Sequence, residues 1–96
     1  MKFEGLYDMI ANGRDVESIK SLLKRGADAD VRGGCYKTPL MIVENAEVAK
    51  LLLERGADVN ARDLDDGKTA LMLVKNTEVA KLLLERGADV NARDGN

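Results

Sequence analysis

Residues 47–63 read EVAKLLLERGADVNARD, and the same letters return without a change at 78–94, an offset of 31 residues. A degraded copy, ESIKSLLKRGADADVR at 17–32, lies 30 residues upstream of the second and places three units in register. Self-similarity at this period marks a stacked array in which each unit touches only its neighbours, rather than one globular core. Such arrays present long concave surfaces, so binding is the first function to consider.

Bulk properties narrow the alternatives. Ninety-six residues allow one domain, with no room for a separate catalytic one. Fifteen basic and 17 acidic side chains leave a net charge of −2, and like charges nowhere form a long run. Neither nucleic acid nor an anionic membrane is indicated as a partner. Apolar stretches such as 40–43 and 51–53 fall far short of the roughly 20 residues needed to cross a bilayer. Residues 1–10 mix Lys2, Glu4 and Asp8 with apolar positions, which does not read as a secretory signal. A single cysteine, Cys35, cannot close an internal disulfide and suits a reducing cytoplasm, where it reads as an incidental thiol.

Within each unit the second half is helical by periodicity. Val48, Leu51 and Leu52, then Val79, Leu82 and Leu83, form an apolar stripe that Ala49, Leu53, Ala80 and Leu84 widen. Arg25-Gly26, Arg55-Gly56 and Arg86-Gly87 end the helices with a cation in the last turn and a glycine able to turn left-handed. Thr38-Pro39 is a helix start, echoed more weakly by Thr69-Ala70, and Asn45 and Asn76 are expected to cap the second helices. Between Thr38 and Lys50 there is space for a first helix of about two turns and a tight reversal.

These residues resemble the ankyrin repeat. Its T-P-L-H motif stands here as Thr38-Pro39-Leu40-Met41, and its V-K-L-L-L-x-x-G-A-D-V-N run as 48–60, so the resemblance covers essentially the whole chain. It implies an all-α solenoid of three units, about 1–32, 33–63 and 64–96, each a helix pair followed by a projecting hairpin loop. Departures from the pattern carry expectations of their own. The second and third units are shorter than the 33-residue standard between their helices, so clipped first helices or an abrupt reversal follow. Met41 and Met72 replace a histidine, which should leave apolar contact alone to hold the loop. Tyr36 occupies a glycine position where positive φ would strain it, and Gly33-Gly34 is expected to take up the turn instead. The 64–67 segment is one residue longer than the pattern, so the two hairpins should not superimpose.

The two ends of the row differ. Ser18 and Ser21 replace the Val and Leu of later units and read as a polar cap over a leading helix whose apolar side is Phe3, Leu6, Tyr7 and Ile10. No such replacement marks the third unit. Its far face is expected to be open, serving a continuing array, a second copy of the chain, or simply tolerating exposure. Unequal hairpins and a free Cys35 argue against a designed scaffold, whereas recent duplication accounts for both identity and irregularity.

Without histidine, Ser-His-Asp and Cys-His catalysis and histidine-containing zinc sites are closed off, and no cofactor is expected. Gly67-Lys68-Thr69 resembles the end of a phosphate loop, but Arg62 stands where its first glycine belongs. Residues 63–67 miss the alternating spacing of a calcium loop. The resemblance therefore implies a noncatalytic protein-protein interaction scaffold that grips a partner with hairpin tips and inner helices. Carried over residue by residue, that surface is Gly34, Cys35, Tyr36, Lys37, Leu64, Asp65, Asp66 and Lys68, with Glu44 and Lys75 at equivalent places on the inner helices. Tyr36 is the preferred anchor, since an exposed tyrosine offers contact area at low entropic cost. The competing expectation is self-association through the third unit.

Overall fold

The computed structural model describes residues 5–33 and 36–93, in which six short helices follow one another in three pairs. They are α1 (Leu6–Ala11) with α2 (Val16–Lys24), α3 (Pro39–Ile42) with α4 (Ala46–Glu54), and α5 (Ala70–Leu73) with α6 (Thr77–Glu85). First helices stack on first helices, α1 on α3 on α5, and second on second, α2 on α4 on α6. Neighbours in sequence are thus neighbours in space, and the row measures 41 × 25 × 21 Å. Among the described residues the β pairing is one isolated antiparallel bridge, Arg62 to Thr69, and the all-α repeat architecture stands.

Local sequence explains the second helices. Asn45 Oδ1 accepts the N–H groups of Glu47 and Val48 at 2.8 and 3.2 Å, and Asn76 does the same for Glu78 and Val79 at 2.8 and 3.2 Å. At the other end Gly26, Gly56 and Gly87 take φ of 96°, 88° and 91°, and the next residue returns its N–H to the helix, as Ala57 does to Leu52 at 3.0 Å. The buried stripe then fills the layer between units, with Leu23, Leu40, Leu52, Val79 and Leu83 almost wholly enclosed.

The first helices are shorter than expected. α3 and α5 have four residues each, one turn rather than two, after which Val43 and Val74 go extended at ψ 137° and 140°. A single turn cannot persist alone, so these helices exist through their contacts with neighbouring helices, α3 with α1, α4 and α5, and α5 with α3 and α6. Met41 also does more than fill space: its Sδ accepts the Thr38 N–H at 3.4 Å, so a weak polar link adds to the apolar contact foreseen for this position.

Tyr36 itself adopts the left-handed conformation, φ 60°, and the turn is not passed to Gly33. Its counterpart Gly67 has φ 70°. Gly33 has a different task, because a Cβ there would overlap the ring of Tyr7 from α1. Leu6 is buried in that helix, and Tyr7 and Ile10 are half-buried. Phe3, Gly34 and Cys35 lie outside the described residues.

Gly33→Ala should therefore displace the Tyr7 ring and lower stability by about 1–3 kcal/mol, the range for overpacking. Urea unfolding of both proteins checks this, and an unchanged midpoint would show that Tyr7 does not rest on that backbone.

Candidate functional site

Two hairpins project between units, and their frames match. In the first, Gly33 N–H donates to Lys37 O at 3.0 Å and Arg32 Nη1 to Tyr36 O at 2.6 Å. In the second, Asp63 N–H donates to Lys68 O at 2.8 Å and Arg62 Nη1 to Gly67 O at 2.8 Å. The extra residue of the second loop is taken up at its tip, where Leu64, Asp65 and Asp66 form a turn. Leu64 is 67% exposed and Tyr36 53% exposed, so each hairpin carries one large apolar side chain into solvent. Asp65 and Asp66 are exposed beside Leu64, and Lys68 is half-buried at the base.

Beneath these tips lies a buried carboxylate that sequence reading considered only for calcium. The Asp63 side chain is fully enclosed. Its Oδ1 accepts the N–H groups of Asp66 and Lys68 at 2.8 and 3.2 Å, while Oδ2 lies 3.6 Å from Lys37 Nζ and makes no hydrogen bond. Burial pushes the Asp63 carboxyl up, but the backbone N–H groups of Asp66, Lys68 and Gly67, together with the Lys37 ammonium, outweigh it and hold the group below its usual 3.8. Lys37, foreseen as a partner contact, is thus three-quarters buried and tied to the next hairpin.

Glu44 and Lys75 are not on the inner helices. Each follows the extended valine in the reversal between paired helices, at the opposite end of the unit from the hairpins. Glu44 there lines an open groove of about 560 Å³ with Ile10, Val16, Ile42, Val43 and Val48. The groove has a cause in chain length: Asn12 to Asp15 link α1 to α2, whereas only Val43 to Asn45 link the shorter α3 to α4. The foreseen surface therefore splits. Tyr36, Leu64, Asp65, Asp66 and Lys68 share the hairpin ridge, while Glu44 and Lys75 stand apart.

Unit-to-unit hydrogen bonds were also missed by sequence reading. Asp30 accepts the Asp58 N–H at 2.9 Å, and Asn60 accepts the Asp89 N–H at 2.8 Å while its Nδ2 donates to Gly87 O at 3.2 Å. Arg62 Nη1 reaches Arg93 O at 2.5 Å, and Asn76 Nδ2 reaches Glu44 O at 2.9 Å. The signal was present in the recurring Asp-x-Asp or Asp-x-Asn at 28–30, 58–60 and 89–91, whose first Asp also accepts the N–H two residues on.

Replacing Asp63 by Asn keeps the two accepted N–H bonds but removes the charge facing Lys37 and buries an amide donor without an acceptor. A loss of about 1–3 kcal/mol at neutral pH is expected. Because the folded pKa is lowered, the stability from this carboxylate is complete above its unfolded value, about 3.9, and is lost as pH falls from there through the folded value. Urea melts between pH 7 and 2 should show a shallower acid decline for Asp63→Asn than for the unaltered chain.

The family model described as Ankyrin repeats (3 copies) matches residues 6–94. No curated protein matches the chain.

Proposed function

Because the chain belongs to the ankyrin repeat family, whose members generally mediate contacts between proteins, we propose that it is a noncatalytic module that holds a folded protein partner along its hairpin ridge. The observation that carries this reading is Tyr36. A non-glycine residue in the left-handed region costs roughly 1–2 kcal/mol, and the equivalent Gly67 shows the same turn made without that penalty. The chain nonetheless places an aromatic there and leaves it more than half exposed. Strain held at an exposed side chain points to a role outside the fold.

Tyr36 and Leu64 supply paired apolar anchors, and Asp65 and Asp66 beside Leu64 favour a basic group on the partner. An interface over three short units reaches about 800 Å² per side, the standard size for a specific complex. No cofactor enters this reading. Among the described residues no helix is long and apolar enough to cross a membrane, and the cytoplasm is the compartment that a single unpaired cysteine suits. A second reading, association of copies through the third unit, is supported by exposed Leu84 and Val90.

Tyr36→Gly separates fold from function. It should raise stability by about 1 kcal/mol and at the same time weaken capture of a specific partner, with Leu64→Ser weakening capture at near-constant stability. Paired melting curves and affinity measurements on the same proteins test this; binding that survives both changes would place the interface elsewhere.

A further inference from the structure

The two junctions between units differ at the reversals, although the same side chain stands at both. Asn76 Oδ1 caps α6 and Asn45 Oδ1 caps α4 by accepting the same pair of backbone N–H groups. With the oxygen committed to the helix, the amide nitrogen is left as a donor for something outside it. At the later junction that something is a peptide carbonyl, Glu44 O at 2.9 Å from Asn76 Nδ2. At the earlier junction the carbonyl in register is that of Arg14, and among the described residues the Asn45 amide nitrogen makes no such bond. The open groove of about 560 Å³ lies there instead, lined by Asn45, Arg14 and Glu44 together with Ile10, Ile42 and Val43.

We infer that this groove binds an extended peptide segment of another protein, one that presents an apolar side chain next to a lysine or arginine. Its volume falls within the range of about 300–1,000 Å³ that holds small ligands, and its aliphatic walls suit a buried side chain. The Asn45 donor calls for a backbone carbonyl, because a carbonyl is what the equivalent donor holds one unit later. Charge names the neighbouring residue. The lining segments, residues 10–19 and 42–48, carry exposed Asp15, Glu17, Glu44 and Glu47 against Arg14 alone. Asp15, Glu17 and Glu47 have a local reason to be acidic, since they stand at the starts of α2 and α4, where the helix dipole favours negative charge. Glu44 has none. It lies in the reversal outside both helices, and among the described residues its carboxylate forms no ion pair. A carboxylate at the rim with no duty in the fold is complementary to a cation on the occupant. The groove is at the opposite end of the unit from the hairpin ridge, so this inference stands apart from the ridge as a binding surface.

The probe is the synthetic peptide acetyl-Ala-Leu-Lys-Ala-amide, titrated into the isotopically labelled full chain and followed by nuclear magnetic resonance. Saturable shifts are expected at Ile10, Ile42, Val43 and the Asn45 side-chain amide, with Tyr36 and Leu64 unmoved. Exchanging the peptide's lysine for glutamate, or its leucine for alanine, should each weaken binding by about threefold or more. Glu44→Gln in the chain should erase the preference for lysine over glutamate at an unchanged melting temperature. Asn45→Ser keeps a capping oxygen but loses the amide, and should weaken both peptides by about two- to tenfold. Tyr36→Gly should leave the titration as it is, which separates this site from the ridge. The proposal is overturned by the absence of saturable shifts at the groove, by equal or tighter binding of the glutamate peptide, by a lysine preference that survives Glu44→Gln, or by shifts centred on the hairpins.

Discussion

Side chains that reach one unit onward hold this molecule together. A four-residue helix makes almost no internal hydrogen bonds, so α3 and α5 cannot offset their own ordering. What fixes them is the apolar layer between units and the hydrogen bonds that cross it, Asp30 to Asp58, Asn60 to Asp89 and Gly87, and Asn76 to Glu44. These crossings set the register of one pair on the next, and the apolar layer supplies most of the stabilisation. The three-unit arrangement is therefore one cooperative object despite its modular appearance.

The parts of the fold that were legible in the sequence are those whose partners lie within a few residues. Asn45 and Asn76 cap the helices they precede, and Gly26, Gly56 and Gly87 turn the chain where the stripe ends, because capping is settled within one helical turn. Ser18 and Ser21 are exposed, as their polarity implied. The illegible parts have partners in another unit. Nothing local to Asp63 says that Lys37 lies against it, and nothing local to Gly33 says that the Tyr7 ring covers it. Tyr36 was misjudged for a related reason: two neighbouring glycines offered an easier turn, but the hairpin frame set by Lys37 O and Arg32 fixes the bend at position 36.

The candidate surface divides along the same line. Tyr36 and Leu64 were found by their place in the motif and stand exposed on adjacent hairpins. Glu44 and Lys75 were misplaced because helix length was overestimated by a turn, which moves both residues from helix to reversal. That shortening also opens the groove beside Ile10 and Val43, a feature of the mismatch between a longer first pair and a clipped second one.

The graded burial of Leu23, Leu53 and Leu84, from enclosed to half-covered to open, makes the third pair the least covered of the three described. Tension applied across residues 5–93 would therefore loosen that pair before the other two, so that yielding under load follows the order of burial rather than the order of the chain.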